Sequence, residues 1–146
     1  MIKIIAVGKI KKSYLEEGIK FYQKQIPQKT EIIEIEDGKD IYSLKQEGTK
    51  ILDKIDKKDF VVALAINGNE LSSEELASKI ELWLSKGSNI VFVIGGSHGL
   101  SQEVIERADY QLSFSKMTFP HQLMRLILME QLFRAFSILA NHPYHK

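Results

Sequence analysis

The chain contains no cysteine among its 146 residues. This absence excludes a disulfide framework, thiolate metal sites and a cysteine nucleophile, and it fits a reducing compartment. Long hydrophobic runs are also missing: the runs at residues 60–66, 90–94 and 126–129 are all far below the roughly 20 residues of a membrane span. We therefore expect one intracellular domain over residues 1–146, with no membrane segment.

Net charge is also nearly absent, but its distribution is uneven. The formal total is +1, from 20 Lys+Arg and 19 Asp+Glu. Residues 1–29 carry +5, residues 30–115 carry −7 and residues 116–146 carry +3. Basic ends around an acidic middle point weakly to a polyanionic partner, although a solvated lysine-rich face gives the same pattern.

Two hydrophobic periods alternate along the chain. Short β-branched runs predict strands at residues 2–7, 31–35, 60–66, 90–94 and, more weakly, 110–114. Helical spacing lies between them at residues 14–25 with Ser13 as N-cap, at 42–53, from Ser72 to Gly87, and at 101–107. This alternation predicts an α/β fold with a mostly parallel sheet covered by helices on both faces.

The last predicted helix, from Pro120 at its first position to about Ala140, is apolar around most of its circumference. One sheet face buries only one side of such a helix, and a domain of this size has little room to enclose it. We therefore predict a homodimer with this helix in the interface. Its apolar residues are Leu123, Met124, Leu126, Ile127, Leu128, Met129, Leu132, Phe133, Phe136, Ile138 and Leu139.

A glycine-rich turn follows the strand at residues 90–94. Glycines at the carboxyl end of a parallel strand favour close approach of a nucleotide-like ligand. The same turn reads Gly95-x-Ser97-x-Gly99, the pattern of a serine hydrolase elbow, with Asp109 and a later histidine in triad order. A serine hydrolase with His121, His142 or His145 as its base is therefore an alternative.

His142 and His145 have the spacing of a metal-ligand pair, but no carboxylate or cysteine accompanies them. We expect no metal site, because two histidines alone do not complete the ligand set of a typical zinc centre. From the residues alone, the sequence predicts a small-molecule site at adjacent strand ends beside a basic, histidine-bearing tail.

Three C-terminal blocks together resemble the ribosomal RNA large subunit methyltransferase H family. They read Met-Thr-Phe-Pro-His-Gln-Leu-Met-Arg at 117–125, Glu-Gln-Leu-Phe-Arg-Ala-Phe at 130–136 and Asn-His-Pro-Tyr-His-Lys at 141–146. The turns at 6–9, 64–68 and 95–100 fall in the family's order and spacing. The resemblance therefore covers the whole chain.

The resemblance implies a SPOUT-class enzyme with a deep C-terminal trefoil knot, a feature that general folding rules do not suggest. It implies a cytoplasmic homodimer that uses S-adenosylmethionine to methylate N3 of a pseudouridine in helix 69 of 23S rRNA. Carried over position by position, the cofactor-binding residues are Leu64, Gly95, Phe114, Ser115, Lys116, Met117, Thr118 and Phe119.

The catalytic candidates are Arg134, His142, Tyr144 and His145, which we expect to reach the cofactor of the opposite subunit. Arg134 could stabilise a developing enolate-like oxygen, and His142 or His145 could accept the departing proton. For Arg134, a pair with Glu130 one helical turn earlier is the simpler explanation, and for Tyr144 it is packing at the chain end.

Two positions depart from relatives: Asn69 stands where many carry lysine, and His98 stands at a variable position of the glycine turn. Both leave the substrate contacts open. Besides the hydrolase, a catalytically silent RNA-binding or ribosome-assembly module also remains an alternative.

Overall fold

The computed structural model describes residues 1–146 and contains one five-stranded sheet. The strands are β1 (Ile2–Val7), β2 (Thr30–Ile35), β3 (Phe60–Glu70), β4 (Ile90–Ile94) and β5 (Tyr110–Ser113). Their order is β2-β1-β4-β3-β5, and every neighbouring pair is parallel. The predicted α/β class and parallel sheet are thus confirmed.

Five helices cover the two faces of the sheet: α1 (Ser13–Gln25), α2 (Leu44–Asp53), α3 (Ser73–Ser85), α4 (Gln102–Arg107) and α5 (His121–Leu139). A 3-10 turn at Ile41–Ser43 precedes α2. The larger core cluster joins the sheet to α1, α3 and α5, and the smaller one joins it to α2 and α4. Alternate residues of β1 supply both cores, as the period of a strand requires.

Helix starts follow the sequence signals with two corrections. Ser72 and Glu75 form the predicted capping box at the start of α3. Ser13 is not an N-cap, because α1 begins at Ser13 itself and Lys12 occupies the cap position without a side-chain bond. Pro120 precedes α5 as its N-cap, because its ψ of 135° is extended rather than helical.

The chain crosses the carboxyl edge of the sheet between β5 and α5. β5 lies at one edge of the sheet, whereas the start of α5 contacts the opposite side: Lys11 N donates to Gln122 Oε1 at 3.0 Å. We call residues 114–120 the crossing segment. It passes the ends of the intervening strands, so its backbone lies at the edge where ligands bind in parallel sheets.

Arg125 holds the start of α5, where the crossing segment ends, against the sheet. Its side chain is 2% exposed and donates to Glu34 Oε2 at 2.6 Å and to the Gly8 carbonyl at 3.0 Å, while its Nε is buried without a partner. Losing Glu34 would leave a buried cation uncompensated, which is costly. The pair therefore ties α5 to the ends of β1 and β2.

Candidate functional site

A cleft of about 580 Å³ opens at the carboxyl edge of the sheet, within the size range of small-molecule sites. Its walls are residues 64–67 of β3, the glycine turn at residues 95–99, the crossing segment and the first turn of α5. No aspartate, glutamate, lysine or arginine lines it. The cleft is therefore apolar, with polarity supplied by backbone groups, hydroxyls, amides and two imidazoles.

The glycine turn folds so tightly that a side chain at Gly95 has no room. A Cβ at this position would lie 2.4 Å from the Gly99 carbonyl oxygen, far inside contact distance. Gly96 and Gly99 form an isolated bridge across the turn, and Ser101 then caps α4 by accepting from Val104 N. The turn thus brings bare backbone to the wall of the cleft.

β3 contributes the opposite wall through an irregularity. Leu112 of β5 is in register with both Leu64 and Asn69, so residues 65–68 form an excursion between two paired stretches. Leu64 and the first three residues of this excursion line the cleft. The sequence predicted a strand ending at residue 66, but β3 continues to Glu70 because pairing with β5 resumes beyond the excursion.

The crossing segment presents unused backbone groups. The amides of Lys116, Thr118 and Phe119 make no hydrogen bond within the chain, whereas the amide of Met117 bonds to the Ser115 hydroxyl at 3.0 Å. Backbone donors and acceptors in a concave apolar site are suited to the edge of a purine ring. This part of the cleft can thus bind a nucleoside without rearranging secondary structure.

The structure brings most of the expected cofactor residues together. Seven of the eight line the cleft: Leu64, Gly95, Phe114, Ser115, Met117, Thr118 and Phe119. Lys116 lies in the same segment but is exposed and does not line the cleft. Resemblance, rather than spacing, placed these residues. The β3 excursion and Met124 also line the cleft, and only the strand-end position of the excursion hinted at them.

The four expected catalytic residues lie outside the cleft, and three of them belong to what we call the tail cluster: Glu74, Glu130, Arg134, Tyr144 and His145. Arg134 Nη2 donates to Glu130 Oε2 at 2.6 Å, and the Tyr144 hydroxyl donates to the same oxygen at 2.8 Å. The Arg134 guanidinium also lies 4.8 Å from the Tyr144 ring centre. The simpler explanation, an Arg134–Glu130 pair, is therefore present in the structure.

His145 is engaged on both ring nitrogens. Its Nδ1 lies 3.0 Å from Arg134 Nη1, and its Nε2 contacts the Glu74 carboxylate. Since arginine only donates, Nδ1 accepts and Nε2 carries the proton. His142 is exposed and contacts the cluster through the Tyr144 backbone amide, which lies 3.3 Å from its Nδ1.

These contacts shift three pKa values in the tail cluster. The hydroxyl of Tyr22, partial burial and the Glu130 carboxylate raise the pKa of Tyr144 well above the ordinary tyrosine value. The hydrogen bond to Glu130 raises the pKa of Arg134. The bond from His145 lowers the pKa of Glu74. At neutral pH Tyr144 is therefore a protonated donor and Arg134 a fixed cation.

The cleft and the tail cluster are separated within one chain. Met124 of α5 lines the cleft, and Arg134 lies about 15 Å further along the helix axis at about 1.5 Å per residue. None of Arg134, His142, Tyr144 and His145 lines the cleft. One chain therefore holds a ligand cavity at one end of α5 and a polar cluster at the other.

Comparisons with known proteins assign the family. The family model described as "Predicted SPOUT methyltransferase" matches residues 1–145. The ribosomal RNA large subunit methyltransferase H of Clostridioides difficile (strain 630) is 52% identical, over 99% of both chains. That of Acholeplasma laidlawii (strain PG-8A) is also 52% identical over 99% of both chains. The chain belongs to the ribosomal RNA large subunit methyltransferase H family of SPOUT methyltransferases.

The fold agrees with membership of this family. A solved structure described as a probable methylase family protein from Haemophilus influenzae Rd KW20 superimposes with a TM-score of 0.62. The superposition covers 99% of this chain and 70% of the Haemophilus influenzae chain. Because the sequences are only 14% identical, the likeness concerns the fold alone. No helix combines the length and hydropathy of a transmembrane span.

The hydrolase alternative finds no support beside this family assignment. Ser97 is exposed in the glycine turn and makes no hydrogen bond to an imidazole. The Asp109 carboxylate instead accepts from Val61 N at 2.8 Å and from Arg107 at 3.2 Å. The three residue types required for a triad are thus not in contact. No three histidine, aspartate or glutamate side chains gather as a metal-binding group.

Proposed function

We propose that this chain uses S-adenosylmethionine to methylate N3 of a pseudouridine in helix 69 of 23S rRNA, as a cytoplasmic homodimer with a knotted C-terminal region. The relatives named above are ribosomal RNA large subunit methyltransferases, and their likeness extends over 99% of the chain. The observation that carries the proposal is the convergence of seven expected cofactor residues on one apolar cleft.

The cleft has the chemistry of a nucleoside-cofactor site. Leu64 and Phe114 supply an apolar wall, Gly95 permits close backbone approach, and the crossing segment offers unpaired amides. Bound there, S-adenosylmethionine supplies an electrophilic methyl group on a sulfonium centre. The chain's contribution is to orient that group, to exclude water and to present the acceptor nitrogen in line with it.

The tail cluster supplies the polar groups that the cleft lacks. Arg134 is a permanent cation suited to a carbonyl oxygen that gains charge as N3 loses its proton. His145 in its present tautomer accepts a proton only after Nδ1 leaves Arg134. His142 is exposed and needs only to release the Tyr144 amide. His142 is therefore the more available proton acceptor of the two.

A second copy of the chain is the economical way to join cluster and cleft. α5 keeps many apolar side chains only partly buried, and Tyr14 and Phe21 of neighbouring α1 are 66% and 60% exposed. Exposed apolar surface of this kind marks interfaces. An isologous contact in which the two α5 helices run antiparallel would place each tail beside the partner's cleft.

Two measurements on the unaltered protein test this function. Calorimetry should detect saturable binding of S-adenosylmethionine, and radiolabelled methyl should pass to ribosomes that contain pseudouridine in helix 69. Ribosomes from a strain unable to form that pseudouridine should accept no label at N3. Absence of cofactor binding would contradict the proposal, and binding without transfer would favour the silent RNA-binding module instead.

A further inference from the structure

A loop of three lysines borders the cleft. Lys9, Lys11 and Lys12, all exposed, lie between β1 and α1, in what we call the lysine loop (residues 9–12). Backbone bonds hold the loop in place, from Ile10 N to Glu34 at 3.3 Å and from Lys11 N to Gln122 at 3.0 Å. Gln122 directly follows His121 of the cleft lining. The lysines therefore stand at the rim of the cleft.

These lysines differ from the other basic side chains near the site in being unpaired. Arg125 is buried against Glu34, and Arg134 is bonded to Glu130, so each already has a carboxylate partner within the chain. None of the three lysines takes part in an ion pair, and neither does exposed Lys116 in the crossing segment. The accessible positive charge around the cleft therefore belongs to lysines.

An exposed aromatic ring lies on the neighbouring loop. Tyr42 is 90% exposed, in the 3-10 turn after β2. The loop approaches the cleft at Asp37, whose Oδ2 lies 3.6 Å from the Cβ position of Gly96. It is internally braced, since Ser43 N donates to Asp40 at 2.9 Å and Gly38 N donates to Glu47 at 2.8 Å. The ring is thus presented to solvent by a fixed backbone.

We propose that the lysine loop and Tyr42 form the docking surface for a single-stranded segment of the RNA substrate, whose target base enters the adjacent cleft. Unpaired lysines and an exposed aromatic ring at the same edge of a sheet are a combination that binds unpaired nucleotides, because the cations contact phosphates and the ring stacks on a base. An acidic protein would use the charge but not the open ring face. This inference rests on the proposed function and names the surface that receives its substrate.

Three carboxylates near Tyr42 are bonded to backbone groups of the same loop, and a fourth, Glu34, is paired with a cation. Asp40 accepts from Ser43, Asp37 from Lys39 N at 2.8 Å, and Glu47 from Gly38 N, so these three act within the loop. Glu34 is neutralised by Arg125. Of the carboxylates between Glu34 and Glu47, Glu36 alone is exposed without such a partner.

The electrostatic half is tested with two matched triple variants. K9Q/K11Q/K12Q removes three charges at the cleft rim, and K57Q/K58Q/K86Q removes three exposed, unpaired lysines from loops at the amino ends of β3 and β4. Binding of a labelled oligouridylate of about ten nucleotides is followed by fluorescence anisotropy against salt. We expect the rim variant to weaken binding about tenfold and to reduce the salt slope by about 2, at about 0.7 per phosphate.

The aromatic half is tested by Tyr42→Ala and Tyr42→Phe. Loss of one stacked base weakens single-strand binding by about tenfold or more, and phenylalanine should restore it because stacking needs the ring and not the hydroxyl. Tyr42→Ala, but not Tyr42→Phe, should raise the KM for ribosomes, and both variants should leave the calorimetric Kd for S-adenosylmethionine unchanged. Duplex RNA should be bound without sensitivity to Tyr42.

Three results would overturn the docking surface while leaving the proposed methyl transfer intact. They are equal losses in the rim and control variants, no loss with Tyr42→Ala, and equal sensitivity of duplex and single strand to Tyr42. Failure of the unaltered protein to methylate ribosomes, with rim-dependent oligouridylate binding preserved, would instead reject the proposed reaction.

Discussion

The cleft and the tail cluster lie at opposite ends of α5, and they differ in their chemistry. The cleft has space, bare backbone and unpaired amides, but no aspartate, glutamate, lysine or arginine lines it. The tail cluster has carboxylates, a guanidinium and an imidazole, but its polar groups are bonded to one another. Under the proposed function, the cleft binds the cofactor and the tail cluster polarises the acceptor base, so methyl transfer needs both.

The largest expected effect comes from removing the tail. A variant ending at Asn141 should keep the Kd for S-adenosylmethionine within about threefold, because residues 142–146 do not line the cleft. Its kcat should fall by about 100-fold or more, the usual contribution of positioned acid–base groups. Calorimetry and methyl transfer to ribosomes measure the two effects separately, and full activity would remove the tail from the mechanism.

A change at Gly95 should instead weaken binding of S-adenosylmethionine. Gly95→Ala places a methyl group against the Gly99 carbonyl, and we expect a loss of about tenfold or more in affinity for S-adenosylmethionine. Gly87→Ala is the matched control: Gly87 has a φ of +78° and nothing within 4 Å of its Cβ position. It should lower the free energy of unfolding by about 1 kcal/mol without affecting binding. Equal binding losses in both would contradict the assignment.

A smaller effect is expected in the tail cluster, where Tyr144 should ionise at an unusually high pH. The raised pKa of Tyr144 keeps its phenol neutral where exposed tyrosines ionise. Because the pKa of Tyr144 is higher in the folded than in the unfolded protein, the protonated phenol contributes to the free energy of unfolding. This contribution is fully present below the ordinary tyrosine pKa of about 10 and is lost as the pH rises through the folded-state pKa.

Ultraviolet titration of the native protein is the measurement for Tyr144. Tyr144→Phe should remove a tyrosine that ionises well above the ordinary tyrosine pKa of about 10. Loss of an ordinary titration step instead would show that Tyr144 is not held by Glu130 in solution.

The regular parts of both regions could be predicted from sequence, and their contacts could not. β-branched runs and the Ser72–Glu75 capping box are local signals, so the strands and the start of α3 were predicted within a few residues. The excursion at residues 65–68 depends on how β3 pairs with β5, which no local period encodes.

Charge shows the same limit. Arg125 contributes to a basic C-terminal segment in sequence, yet in the structure it is buried against Glu34, 91 positions away. The Glu130–Arg134 pair, by contrast, has the spacing of one helical turn and was visible in the sequence. Sequence distance therefore decided which contacts could be anticipated, and family resemblance supplied the cleft residues that spacing did not.

The central claim is that the cleft of one chain works with the tail of another. Gly95→Val, a cleft variant, and the variant ending at Asn141 are each purified, checked for folding by circular dichroism and mixed in equal amounts after dissociation. Half of the dimers that form then contain one copy of each variant. In each of these heterodimers one of the two sites combines an intact cleft with an intact tail, so methyl transfer should recover to about a quarter of the unaltered level. If the tail acted within its own chain, the mixture would remain as inactive as the two variants separately.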